Sequence, residues 1–163
     1  MRLIKGFGLF AAGILAGMLM MQASAAPSQN GTKLNHVGMY VNNMDASLDF
    51  YTRTMGFRET YLFKDDQGKL AMAFIQVSRE TFIELMPADA DHPAGFSHAG
   101  FQVNDERATI AVLRKKGVKV EDAHPGLRMK ALSTDVLDPD GLRLELLEFT
   151  PDSLQRKAID SWK

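Results

Sequence analysis

Four residues carry the chemistry that can be read from the chain: His36, Glu84, His98 and Glu145. Two imidazoles and two carboxylates without a thiolate suit a divalent ion of borderline or harder character, such as Zn, Ni, Co, Fe or Mn. A glutamate between apolar neighbours, as in Phe82-Ile83-Glu84-Leu85-Met86, is costly to bury unless it is paired or bound to a metal. Spacing ties the four together, because 48 residues separate His36 from Glu84 and 47 separate His98 from Glu145. An ion held there acts as a Lewis acid on a substrate carbonyl or hydroxyl oxygen, stabilising an enediolate while a nearby carboxylate moves the proton. Glu145 is the candidate base, since Arg143 shares its strand face and can bias it or hold an anionic substrate.

The elements that must position these groups come in two copies. His36-Val-Gly-Met-Tyr-Val-Asn42 lines up with His98-Ala-Gly-Phe-Gln-Val-Asn104, and Phe82-Ile-Glu84-Leu with Arg143-Leu-Glu145-Leu. Two copies of some 60 residues are too few and too long for a solenoid, so the duplication implies two modules packed about a pseudo-two-fold axis. Each copy opens with an alternating run and a polar start signal. A helical pattern follows, Met44, Leu48, Tyr51 and Met55 before Gly56, or Ala108, Ala111 and Val112 before Gly117. Strand-like runs come next at 58–63, 70–77 and 81–86, and at 118–121, 131–136 and 142–149. Each module therefore reads β-α-β-β-β, over 34–87 and 97–149, within an α+β domain spanning 34–149. Asp65-Asp66-Gln67-Gly68 and Asp138-Pro139-Asp140-Gly141 mark tight turns. Strand alternation puts Val37, Met39 and Val41 on the helix side and His36, Gly38 and Tyr40 opposite, with the same parity in the second copy. All four donors thus fall on one concave face. His92 and His124 precede prolines outside the repeat and are expected in exposed loops. Residues 150–163 predict a C-terminal helix capped by Thr150, with Leu154, Ala158 and Trp162 on one packing stripe.

Composition narrows the partners. With 19 basic against 20 acidic side chains and a pI near 6.4, there is no electrostatic footprint for nucleic acid, so partners are expected among small molecules or proteins, and the candidate site chemistry suits a small-molecule substrate. Arg2 and Lys5 precede the uncharged stretch 6–21, followed by Ala23-Ser24-Ala25, which reads as a secretory signal cleaved after Ala25. Sixteen apolar residues fall short of the ~20 needed to span a bilayer, so no stable membrane insertion is expected after cleavage. The expected location is periplasmic or secreted, with 26–33 as a flexible lead-in. There is no cysteine for a disulfide to add stability in such a compartment.

These residues, together with Phe50-Tyr51-x-x-x-Met55-Gly56-Phe57, Ser97-His98-Ala99-Gly100-Phe101 and Asp138-Pro139-Asp140-Gly141-x-x-x-Glu145, resemble the vicinal oxygen chelate superfamily, and glyoxalase I most closely. The resemblance implies paired βαβββ modules curled into a cup around one divalent ion, Ni, Co or Zn by the family's usage. His36, Glu84, His98 and Glu145 fall on the four metal positions, Glu145 also on that of the proton-transfer base. It further implies a lactoylglutathione lyase-type reaction and a homodimer. Where bacterial glyoxalase I places an arginine four residues after the first histidine, this chain has Tyr40, and where an asparagine is common it has Ala88. The candidate substrate contacts are therefore Tyr40, Arg128, Lys130 and Arg143. Ring-cleaving dioxygenases resemble the sequence in fold but use two histidines and one carboxylate on iron, so the extra Glu84 counts against them. Metal-dependent epimerases resemble it too, and sequestering proteins of the bleomycin-resistance type generally lack the metal set.

Overall fold

The computed structural model describes residues 31–126 and 128–163, so the signal-like segment 1–25 and residues 26–30 of the lead-in lie outside the described residues. Among the described residues, no helix is long and apolar enough to cross a membrane. The first module consists of β1 (Lys33–Val41), α1 (Met44–Asp49) extended by a π-helical turn (Phe50–Thr54), β2 (Arg58–Lys64), β3 (Leu70–Ser78) and β4 (Thr81–Pro87). The second consists of β5 (Gly95–Gln102), α2 (Glu106–Lys115), β6 (His124–Pro125), β7 (Leu132–Leu137) and β8 (Arg143–Glu148), followed by α3 (Leu154–Asp160).

All eight strands form one curled sheet in the order β2-β3-β4-β1-β5-β8-β7-β6. Within each module the first strand runs parallel to the last, β1 beside β4 and β5 beside β8. The modules join through the antiparallel β1–β5 pair at the centre, as the duplication requires. This is the α+β architecture of two βαβββ modules expected from the repeat, and one chain supplies both halves of the cup.

Local chemistry repeats along with the topology. Asn43 and Asp105, each seven residues after a module's first histidine, cap α1 and α2 by accepting from Ala46 N and Ala108 N. Asp65 Oδ1 accepts from the Gln67 and Lys69 amides, and Asp138 Oδ1 from those of Asp140 and Leu142. Gly68 and Gly141 close these two turns at φ of 78° and 83°, which a side chain would strain.

Alternation along the strands splits the core between the two faces of the sheet. Ala73, Ile75 and Leu85 pack with Met44 under α1, while Val103, Val136 and Leu146 pack with Ile110 of α2. Phe74 and Phe82 point to the concave side, where they meet Met129, Ala158 and Ile159. The C-terminal helix thus closes against the strands of the first module.

Two expectations fail here. Residues 118–121 form no strand: the Arg114 guanidinium donates twice to Val120 O, at 3.1 and 2.8 Å, and takes the place of a ladder partner. The edge is instead the two-residue β6, paired to β7 at His124↔Ser133. The C-terminal helix begins at Leu154 and is capped by Ser153, which is fully buried and accepts from Arg156 N. Thr150 is not the cap because residues 150–153 form a turn, Ser153 N donating to Thr150 O at 3.1 Å, which delays the helix to Leu154; the Thr150 hydroxyl donates to Lys130 O at 2.7 Å. The buried positions of α3 are Gln155, Ala158 and Ile159, and Trp162 is left 36% exposed.

Candidate metal centre

Antiparallel pairing places His36 opposite Gly100 and Gly38 opposite His98. Each imidazole occupies the space that a side chain on the facing glycine would need. A Cβ added to Gly100 would stand 2.6 Å from His36 Nε2, and one added to Gly38 would stand 2.9 Å from His98 Nε2, with other ring atoms closer still. The glycine two residues after each histidine, present in both copies of the repeat, therefore clears room for the other module's histidine.

The two Nε2 atoms meet at 2.9 Å. Two lone pairs cannot face each other at that distance, so a proton or a cation belongs beside them. The neighbouring strands bring carboxylates from opposite sides, Glu84 on β4 and Glu145 on β8. Glu84 Oε2 lies 3.1 Å from His98 Nε2 and 3.5 Å from His36 Nε2. Glu145 Oε2 lies 3.2 Å from His36 Nε2 and 3.6 Å from His98 Nε2. Around an ion with bonds of about 2.1 Å, neighbouring donor atoms stand about 3.0 Å apart in an octahedron and about 3.4 Å in a tetrahedron. The observed spacings fall close to that range; His36, Glu84 and His98 lie mutually close enough to share one divalent ion, while Glu145 meets the two imidazoles but stands outside that group.

Burial and charge act together at this centre. His36 and His98 are 1% and 2% exposed and Glu84 6%. Burial opposes charge on His98, yet hydrogen bonds to Glu145 and Glu84 outweigh it and raise the imidazole pKa to about 9. Burial likewise works against the Glu145 carboxylate, but His36 and His98 bring its pKa down to about 2. Four groups so mutually dependent are poised for a cation in place of the shared protons.

The two histidines differ on their far sides. His36 Nδ1 faces Asn35 Oδ1 at 3.1 Å, an atom that only accepts, so Nδ1 carries a proton and Nε2 is the nitrogen left to offer a lone pair to an ion. His98 Nδ1 meets Ser97 Oγ at 3.1 Å and the Arg143 guanidinium at 3.3 Å, and of these only the hydroxyl can accept. Arg143 is held in turn by Asp135 at 2.9 Å.

A cavity of about 720 Å³ opens from Glu84 and Glu145, walled by Met72, Phe74, Met129, Ala131 and Leu147, with His124, Arg128, Ser133 and Gln155 contributing polar groups. Of the candidate substrate contacts, Arg128 lines it and Arg143 stands beside His98. Tyr40 instead stacks on His92, ring centroids 4.8 Å apart, and borders a separate groove with Asn43 and Ala46. Lys130 is exposed, with φ of 55°, and does not line the cavity. His92 is exposed as expected and pairs with Asp89. His124 is also exposed but lies on the cavity wall. Asn35, His124 and Gln155 went unmarked in the sequence because nothing in the repeat or in strand alternation points to them; a polar residue on the otherwise apolar stripe of α3 was the one available signal.

A sequence profile of the Glyoxalase/Bleomycin resistance protein/Dioxygenase superfamily matches residues 33–146. The "Probable lactoylglutathione lyase" of Synechocystis is 31% identical over 125 residues, 71% of this chain and 94% of that protein. The "Probable lactoylglutathione lyase, chloroplastic" of Arabidopsis thaliana is 32% identical over 127 residues, and the match spans 73% of this chain but only 36% of that longer protein. Among solved structures, methylmalonyl-CoA epimerase from Mycobacterium tuberculosis superposes with a TM-score of 0.64 at 24% identity, over 80% of this chain and 96% of that one, a likeness of fold.

Proposed function

The chain belongs to the Glyoxalase/Bleomycin resistance protein/Dioxygenase superfamily, and on that premise we propose that it is a divalent-metal-dependent lyase of the glyoxalase I type, which moves a proton at a carbon next to a carbonyl. The observation that carries this reading is the convergence of two imidazoles and two carboxylates, at 2.9 to 3.6 Å, on one end of an apolar-walled cavity.

His36, Glu84, His98 and Glu145 are the residues that would hold the ion. When bound, it supplies Lewis-acid polarisation of the substrate carbonyl and offsets the negative charge that develops there. Glu145 is the proton acceptor: its side chain is 19% exposed against 8% for Glu84, so it is the more accessible carboxylate from the cavity. Its carboxylate is placed to take the proton and return it to the adjacent carbon. The side chains of Met72, Phe74, Met129 and Leu147 keep bulk water from the transfer and strengthen the charge interactions around it. Arg128 on the cavity wall is placed to hold an anionic group of the substrate. Export through the segment 1–25 would have the reaction run outside the cytosol, so the thiol carried by the substrate is a variable of the test.

Protein loaded with Ni, Co or Zn is offered the hemithioacetals of methylglyoxal with glutathione and with smaller thiols in deuterated water, and product and its deuterium content are followed by NMR. Turnover with solvent-derived deuterium next to the carbonyl is expected for at least one thiol. Glu145→Gln should lower it by about 10²-fold or more while weakening the metal less than His98→Ala does. Full activity in Glu145→Gln would sink the assigned base. Dioxygen uptake with a catechol would instead make the protein a ring-cleaving dioxygenase, and a ligand held unchanged without metal would make it a binding protein.

A further inference from the structure

We propose that Gln155, on the C-terminal helix, is a positioning residue for the metal-holding His36 and acts on it through Asn35. The inference rests on the metal-dependent reading above, but concerns a side chain 120 residues away from the histidine side of the sheet. Donor and acceptor roles along the chain of contacts follow from its far end. The Glu80 carbonyl can only accept, so the group facing it at 3.2 Å is the Asn35 amide nitrogen. The Asn35 Oδ1 therefore points the other way, where it meets two partners, His36 Nδ1 at 3.1 Å and Gln155 Nε2 at 3.3 Å. An oxygen that only accepts requires His36 to carry its proton on Nδ1, and it receives a second hydrogen bond from Gln155. Both amide side chains are 1% exposed, so water does not compete for these contacts.

What remains of Gln155 marks the residue as kept for this contact. Its Oε1 is buried and has no hydrogen-bond partner among the described residues. A leucine at this position would avoid that uncompensated desolvation and would suit the apolar neighbours Phe74 and Met129, so packing alone gives no reason for an amide. The amide nitrogen does something a leucine cannot: it holds Asn35 Oδ1 on the imidazole, and with it the ring plane and tautomer that present Nε2 to the other three donors. His98 has no equivalent support, since its Nδ1 faces a hydroxyl and a guanidinium. His36 is thus the rigid member of the pair, and the helix that closes the cup also fixes it.

The test compares divalent-ion affinity, by competition with a chromophoric chelator, in the wild type, Gln155→Leu, Asn35→Ala, the double variant and Ile159→Ala. Ile159 belongs to the cluster that packs the same helix with Phe74 and Phe82, and its side chain has no hydrogen bond to offer Asn35. Gln155→Leu should keep or raise the thermal midpoint while losing affinity about 10-fold or more. The double variant should be no weaker than Asn35→Ala alone, because both act through one contact. In the metal-free protein, NMR should show the His36 Nδ1 proton slowed in exchange, and Gln155→Leu should speed it. Wild-type affinity in Gln155→Leu would overturn the proposal, as would an equal loss in Ile159→Ala, which would make the effect one of helix packing. A wild type that binds no divalent ion but retains a Gln155-dependent His36 proton would defeat the metal-dependent reading and leave the contact chain standing.

Discussion

Gly100→Ala is the most discriminating perturbation of the centre, because it adds one carbon and should remove one metal ligand. Gly100 has no left-handed backbone angle, so its backbone accepts alanine, and the gain of about 0.5–1 kcal/mol this would bring in a strand is outweighed by a steric clash. The new Cβ would stand 2.6 Å from His36 Nε2, whereas carbon contacts settle at about 3.5 Å or more, so the ring must retreat by roughly 1 Å. Metal–ligand bonds tolerate only about 0.2 Å. The variant is expected to bind a divalent ion about 100-fold more weakly, about 2.7 kcal/mol at 1.36 kcal/mol per decade, and to have a lowered thermal midpoint in the metal-free state, because displacing a buried ring costs about 1–3 kcal/mol. Gly38→Ala should do the same to His98. The assay is competition against a chelator of known affinity, with circular dichroism reporting the fold. Affinity within threefold of wild type in a folded Gly100→Ala protein would refute the claim that this strand contact holds His36 in place.

Glu106 offers a pH test independent of the metal: burial and the neighbouring Glu148 push its carboxyl up to about 7, and neither of its oxygens has a partner among the described residues. Its raised folded-state pKa means the folded state binds more protons than the unfolded one between about pH 4.5 and 7. Stability from this group is full below pH 4.5 and falls as pH rises through 7, by on the order of 3 kcal/mol. Urea unfolding at pH 5 and pH 8 should show a larger fall in the wild type than in Glu106→Gln, in which His98 with its raised pKa still contributes; equal falls would remove the assignment. Arg128→Ala should raise KM about 10-fold for an anionic substrate with little change for a neutral analogue, and an equal effect on both would deny the guanidinium its role as an anion anchor.

How much was legible differs between particular residues. The pairing of His36 with His98 and of Glu84 with Glu145 could be read because duplication leaves matching words at matching intervals, and strand alternation then assigns a face without any coordinates. The glycines of both histidine motifs were visible in the same words, but their reason was not: it lies in the β1–β5 register, which sets each glycine against the other module's histidine. The strand expected at 118–121 failed because one arginine side chain satisfies the backbone carbonyl that a ladder would have used. The cap of the last helix moved to Ser153 because a turn over 150–153, closed by Ser153 N donating to Thr150 O, comes before the helix. Tyr40 shares strand parity with His36, yet a register shift after Gly38 and a stack on His92 take it to a different groove.

The sequence by itself determined the two-module α+β fold, the starts of the two module helices, the turns and the face on which each donor stands, because these follow from periodicity and local hydrogen bonding within a few residues. Only the tertiary structure decided that both halves of the cup come from one chain, that α3 covers it, and that Gln155 reaches Asn35. Those contacts join residues up to 120 positions apart, and no short-range pattern encodes which side chains packing will bring together.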